Sequence, residues 1–480
     1  MNETKIIYSF IWKFLERTGT YLVQFIIQLV LARILLPEEY GIVAIVTVFI
    51  TIANVFIQTG FNTSLIQKKD ADDLDFSSVC YLSLFVALIL YVLLFFFAPY
   101  IADFYNISLI TPVLRVLSIN LFLGAFHSVQ NAYVSKKMDF KKYFYSSLAA
   151  IIISGIIGIG MAYKGFGIWS LVTQQLLNMV FVIIILLFVI KWKPKLQFSF
   201  KRTKHLFSYG WKLLVSSLID NLYTNIYDLI IGKKYTTSDL AYYNRGKQFP
   251  YLIIANVNGS ISSVLLPALS KKQDDKNVVK EMTRSAIVIS SFIVFPLMFG
   301  LIAIAKPLVS FLLTDKWLDC VPFLQILCFS YVLWPIHTAN LQAINALGRS
   351  DIFLKLEIIK KIIGILVIVV TIPFGIYALA FGQIFSSVIS SFINAYPNKR
   401  ILNYGYKEQI RDILPTFFLS SIMTIVIILI NLLKLSNIIT ILIQVVSGII
   451  IYILLSHLFK LEGYIYLLNI VKKIRKKEVI

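Results

Sequence analysis

The sequence predicts an all-α polytopic membrane protein of about fourteen transmembrane helices, built as two pseudo-symmetric six-helix lobes with two further helices at the C-terminal end. Three observations carry that prediction. Of the 480 residues 58% are hydrophobic and the mean hydropathy is +0.81, which excludes a soluble globular class. Apolar stretches of about 20 residues, the length that crosses the hydrocarbon core of a bilayer, recur along the whole chain. The first 200 residues also recur, weakly, in the next 200.

Taken in order, the fourteen stretches fall at 9–35, 40–63, 77–101, 110–134, 143–163, 166–190, 207–231, 241–268, 285–305, 320–346, 352–373, 375–396, 412–433 and 437–459. The first is too long and too polar within to be a cleaved signal peptide, so it is expected to stay in the mature protein. Inside it Lys13, Arg17, Thr20, Gln24 and Gln28 step by four, three, four and four, which places all five on one helix face. A cation near mid-bilayer costs about 2.5 to 3.5 kcal/mol even on a mild scale, so this stripe is expected to face protein or water. For Lys13 and Arg17 the alternative is snorkelling to the headgroups. The second stretch repeats the device with Thr47, Thr51, Asn54, Gln58 and Asn62. Two wet faces point to a shared cavity, with interhelical hydrogen bonding as the other reading.

The net charge of +21 would suggest nucleic acid in a soluble protein, but here its distribution is topological. With the N-terminus in the cytoplasm, alternate loops hold 32 of the 45 basic residues and the opposite loops nine. The positive-inside rule then places both termini in the cytoplasm, and no nucleic-acid partner is needed. Cys80, Cys320 and Cys328 form neither a disulfide framework nor a metal spacing, and no metal site is expected. The chain carries no phosphate-cradling glycine loop, nucleophile elbow or zinc-binding histidine pair, so a transporter is expected rather than an enzyme.

The internal repeat rests on four motifs in the same order. Trp12-Lys13 answers to Trp211-Lys212, and Glu38-Glu39-Tyr40-Gly41 to Ser238-Asp239-Leu240-Ala241. The segment Pro112 to Leu117 matches Pro322 to Leu327, with His127 and His337 at the same offset; Gly167-Ile-Trp-Ser-Leu matches Gly375-Ile-Tyr-Ala-Leu. Six spans per repeat make the halves parallel, the plan of a two-lobed transporter. The expected division is therefore 1–200, 201–400, and 401–480 for the appended helix pair and basic tail.

In the second half Ser217, Asn221, Asn225 and Asp228 line one face of the seventh span, with Ser216 and Asp220 beside it. Asn244, Gln248, Asn258 and Ser262 recur at helical spacing in the eighth. A carboxylate as deep as Asp220 is either a coupling-ion site or the partner of a cation such as Lys212 or Arg17. His127 and His337 are packing residues or proton relays. Pro296 and Pro335 are candidate kinks.

The run Ala32-Arg-Ile-Leu-Leu-Pro-Glu-Glu-Tyr-Gly41, with Gln58-Thr-Gly-Phe-Asn-Thr-Ser-Leu-Ile-Gln-Lys-Lys69, resembles the N-terminal signature of bacterial oligosaccharide (Wzx-type) flippases. So do Ala98 to Tyr105, Lys137 to Phe140, Gly165 to Val172 and Leu240 to Arg245. The resemblance spans most of residues 1–400 and implies the superfamily that includes MATE antiporters and lipid II flippases. It also implies a substrate: an undecaprenyl-diphosphate-linked oligosaccharide for O-antigen, capsule or exopolysaccharide, moved to the periplasmic leaflet of the bacterial inner membrane by alternating access. On that reading Arg17, Lys13, Arg115, Arg245 and Lys247 are the candidate diphosphate ligands. Gln24, Gln28, Asn54, Gln58, Asn221, Asn225, Asn258 and Trp334 would line the saccharide cavity, and Asp220, Asp228, His127 and His337 are the coupling candidates. No cofactor is expected beyond a coupling H+ or Na+; the partners are the lipid-linked oligosaccharide, membrane lipids, a polysaccharide polymerase and glycosyltransferases. An ion-coupled multidrug exporter is the alternative, which a cavity rich in carboxylates would favour. A membrane polymerase or ligase would need a large periplasmic loop, which the span pattern leaves no room for.

Overall fold

The computed structural model describes residues 3–58, 61–68, 70–190 and 192–475, all of them helical or connecting chain with no strand among them. They form two compact units, Met1–Ala241 and Tyr242–Ile480. The first holds α1 (Glu3–Ile34), α2 (Pro37–Gln58), α3 (Phe61–Gln67), α4 (Asp73–Tyr105), α5 (Ile110–Leu117), α6 (Asn120–Lys137), α7 (Phe140–Tyr163), α8 (Ile168–Val189) and α9 (Phe200–Lys234). Helix α10 (Thr237–Ser270) begins in this unit and continues into the second. There follow α11 (Lys276–Leu313), α12 (Val321–Tyr331), α13 (Trp334–Ala346), α14 (Ser350–Thr371), α15 (Ile376–Ile401), α16 (Tyr406–Ile428), α17 (Asn437–Leu458) and α18 (Glu462–Arg475). In the first unit α7 packs on α1 and α8, and α2 on α6 and α9; in the second α11 packs on α12, α13, α16 and α17, and α14 on α15.

Among the described residues eleven helical segments are long and apolar enough to cross a membrane, two of them interrupted helices, α5 with α6 and α12 with α13. The expected first, seventh and eleventh spans are α1, α9 and α14, of 32, 35 and 22 residues. At 1.5 Å per residue each is long enough to cross, but each carries internal charge and does not qualify on composition. In α14 those charges are Lys355, Glu357, Lys360 and Lys361, and the three lysines, counted among the 32 basic residues of the loops, lie within the expected span 352–373. The expected lobe boundary at residue 200 follows the repeat, whereas the compact unit runs on to Ala241 because α9 packs on α2, α3 and α4.

The repeated motifs adopt repeated local structures. Before α2 the backbone N–H of Leu36 donates to the Glu39 carboxylate at 2.8 Å. Before α10, 200 residues later, the N–H of Thr236 donates to Asp239 at 3.1 Å and the Thr236 hydroxyl accepts from the Asp239 N–H at 3.1 Å. In both, a carboxylate three residues in closes an orphan donor of the first turn. Gly167 and Gly375, which open α8 and α15, have φ of 53° and 99°, a region where only glycine is unstrained. Pro99 inside α4 leaves the carbonyl of Phe95 without its helical donor. Arg115 Nε of α5 supplies one, at 3.1 Å. In the second unit the repeat aligns Gln325 with Arg115, and Gln325 donates to the Ile302 carbonyl of α11 at 3.1 Å.

Charge clusters fasten the ends of each unit. Asp75, fully buried, accepts from Lys68 at 2.6 Å and lies 3.5 Å from Arg202, which also binds Asp72 at 2.7 Å. The Arg202 guanidinium holds the Asp72 carboxyl down at about 2. The loop ahead of α9 is tied down as well, with the N–H groups of Lys195 and Ser199 donating to Ser77 at 3.0 Å and Ser78 at 2.9 Å. In the second unit Arg284 of α11 binds Asp412 of α16 at 2.9 Å and Glu462 of α18 at 2.6 Å.

Candidate functional site

In the first unit the polar stripe of α1 divides into an open part and a packed part. Lys13 and Arg17 are exposed, and the Arg17 guanidinium makes no ion pair or side-chain hydrogen bond among the described residues although it lies close to the middle of α1. Lys13 is held: it pairs with Glu16 at 2.7 Å and sits 5.1 Å above the ring of Tyr143 and 5.5 Å above that of Phe140. Tyr143 in turn hydrogen-bonds His127 Nε2 at 3.1 Å. Glu16 and Tyr143, absent from the sequence-based candidates, thus join Lys13 to His127 across α1, α7 and α6.

Further along the stripe the residues are engaged with neighbouring helices. Gln24 accepts from Gln174 of α8 at 3.4 Å, and the Gln28 carbonyl lies 3.5 Å from the Tyr40 hydroxyl of α2. On α2, Gln58 donates to Asn54 at 3.4 Å, and a Cβ added at Gly124 of α6 would come 2.8 Å from the Asn54 carboxamide oxygen. Of these four, Gln24 bonds across to α8 through its side chain, the Asn54–Gln58 bond lies within α2, and Tyr40 meets the backbone of Gln28.

On α9, Asn221 and Asn225 donate to the carbonyls of Ser217 and Asn221, each at 2.8 Å, so these amides bond within their own helix. Asp220 is exposed and Asp228 half-buried. The side chain of Lys212, the suggested partner for Asp220, lies outside the described residues.

Two of the five cations proposed for the diphosphate have partners within the protein. Arg115 lies 4.1 Å over the Phe95 ring while it satisfies the Phe95 carbonyl, so its planar fork is held by α4. Arg245 is 7% exposed, donates to Gln248 at 2.7 Å and faces the fully buried Trp317 ring at 5.4 Å. Lys247, half-buried, sits 6.0 Å from the Tyr243 ring.

Elsewhere in the second unit Trp334 packs against Tyr331 at 4.7 Å and against the exposed Tyr251 at 6.3 Å, an aromatic group with one accessible member. His337 lies 3.2 Å from the Asn394 amide and 3.4 Å from the Ser387 hydroxyl. Lys360, half-way along α14, pairs with Glu357 at 2.6 Å. Asn258 is half-buried, and its carboxamide oxygen has no hydrogen-bond partner among the described residues. No group of three or more His, Cys, Asp or Glu able to hold a metal occurs among the described residues. Two apolar grooves, of about 670 and 470 Å³, lie along α11 and contain none of the candidate residues.

Comparison with known proteins places this arrangement. A family model described as polysaccharide biosynthesis protein matches residues 30–322. The chain is 25% identical over 302 residues to the teichuronic acid biosynthesis protein TuaB of Bacillus subtilis, with 62% of each protein covered. It is 27% identical to the succinoglycan biosynthesis transport protein ExoT of Rhizobium meliloti, covering 68% of this chain and 66% of that protein. Each of these matches spans just under two thirds of the relative's length. The match to the lipopolysaccharide biosynthesis protein WzxC of Escherichia coli is 25% identical and covers 82% of this chain and 80% of that one. Among solved structures, the lipid II flippase MurJ in an inward closed conformation superposes with a TM-score of 0.74 at 17% identity, over 94% of this chain and 98% of MurJ. An inward-facing MATE multidrug resistance transporter gives 0.61 at 16% identity, over 79% and 94%.

Proposed function

The chain belongs to the polysaccharide biosynthesis protein family, and from that premise we propose that it is a flippase carrying an undecaprenyl-diphosphate-linked oligosaccharide across the cytoplasmic membrane by alternating access, with both termini in the cytoplasm. The observation that carries the proposal is the exposed cation pair on α1, Lys13 and Arg17, within a helix of membrane-spanning length. A lipid-linked oligosaccharide presents a strongly anionic diphosphate, and a guanidinium can bind two phosphate oxygens at once. Relatives named for succinoglycan transport and lipopolysaccharide biosynthesis, and an archaeal protein named as a probable glycan biosynthesis flippase, support this substrate class. The MATE likeness is one of fold, and the drug-exporter reading has less support because the open side chains of α1 are cationic.

Within this proposal Arg17 and Lys13 hold the diphosphate. Asp220, Asp228, His127 and His337 remain the candidates for coupling to H+ or Na+. Glycosyltransferases act before the transfer and a polymerase after it.

Deletion in the native host tests the function. Undecaprenyl-diphosphate-linked glycan should accumulate in the inner leaflet, the exported polysaccharide should disappear, and sensitivity to cationic drugs should stay unchanged. Normal polysaccharide with increased drug sensitivity would favour the exporter instead.

A further inference from the structure

The diphosphate site as read above contains a carboxylate of its own. Glu16 reaches back one turn to Lys13 at 2.7 Å, and its side chain is only 12% exposed against 45% for Lys13. An exposed Lys–Glu pair on a helix contributes little. This pair differs because its carboxylate is largely withdrawn from water while Lys13 is poised over the Tyr143 ring. Withdrawing the cation would leave a mostly buried anion uncompensated, which costs more than breaking an exposed pair. Arg17, the adjacent residue, has no ion pair among the described residues, so of the two cations only Lys13 is neutralised. In the second unit Glu357 holds Lys360 at 2.6 Å in the same intrahelical manner.

We propose that Glu16 is a built-in competitor of the substrate: it occupies Lys13 while the site is empty, yields it to a phosphate group on binding, and reclaims it on release. The inference rests on Lys13 and Arg17 being diphosphate ligands. Because binding must break the Lys13–Glu16 pair, Glu16 lowers affinity and speeds dissociation, and a carrier needs dissociation as much as capture. Arg17 then makes the first contact and Lys13 the exchangeable second one.

The test uses the full-length protein in lipid nanodiscs with undecaprenyl diphosphate as the probe. Glu16→Gln keeps the side-chain volume and frees Lys13, and should tighten binding about tenfold while slowing flipping in liposomes several-fold. Glu16→Asp, shorter by one methylene, should tighten it by a smaller factor. Adding Lys13→Gln to Glu16→Gln should abolish the gain, since the gain requires the freed lysine. Unchanged or weaker binding by Glu16→Gln, or a gain that survives loss of Lys13, would overturn the role of Glu16. Failure of the wild type to bind the probe, or wild-type binding by Arg17→Ala, would instead overturn the diphosphate reading on which it rests.

Discussion

Arg17→Ala should abolish flipping of the lipid-linked oligosaccharide while leaving the protein as stable as the wild type. The two halves of that expectation have one origin. Arg17 has no ion pair or side-chain hydrogen bond among the described residues, so truncating it leaves no group of the protein without a partner. Hydrogen bonds to charged groups contribute about 1.5 to 3 kcal/mol each, so losing two to a diphosphate corresponds to a loss on the order of a hundredfold or more in affinity. Arg17→Lys keeps the charge but replaces a planar fork by a point donor, and should retain part of the activity. Arg115→Ala should behave in the opposite way: it strands the Phe95 carbonyl beside Pro99 and should lower the unfolding temperature before it affects binding. Thermal unfolding in detergent alongside binding of undecaprenyl diphosphate separates the two classes.

Gly41→Ala should prevent folding of the first unit. A Cβ at Gly41 would overlap the backbone carbonyl of Thr237, at the turn into α10. Neither side of that contact is a flexible side chain, so relief requires the backbone of α2 or of the α9–α10 turn to move. Overpacking costs about 1 to 3 kcal/mol where side chains can adjust, and more where they cannot. Gly160→Ala is the matched control, because nothing lies within 4 Å of a Cβ there and alanine is the better helix former. The yield of monodisperse protein should collapse for Gly41→Ala and equal that of the wild type for Gly160→Ala; equal yields for both would contradict the close approach of α2 to the α10 turn.

The fold was legible because its determinants are periodic or local. Apolar runs mark spans without reference to any other part of the chain, and the repeated glycines and N-terminal carboxylates mark turns that need a positive φ or a closed donor. The site was less legible because its chemistry depends on which side chains meet. The stripe from Lys13 to Gln28 has the spacing of one wet face, yet the Gln24 side chain bonds to α8, and nothing in the spacing separates it from the open Lys13 and Arg17. Arg115 and Arg245 read as membrane cations, but a proline sixteen residues upstream and a tryptophan 72 residues downstream decide their roles. Glu16 lies one position off the stripe, and only the geometry at Tyr143 shows that it reaches Lys13.

The most direct measurement is lipid translocation by the purified protein. Liposomes containing a fluorescent undecaprenyl-diphosphate-linked oligosaccharide in both leaflets are treated with a quencher that cannot cross the bilayer. With wild-type protein the signal should fall well past the half removed from empty liposomes, and with Arg17→Ala it should stop at that half. A wild-type trace that also stops there, from protein that drives uptake of a cationic drug in the same liposomes, would contradict the account.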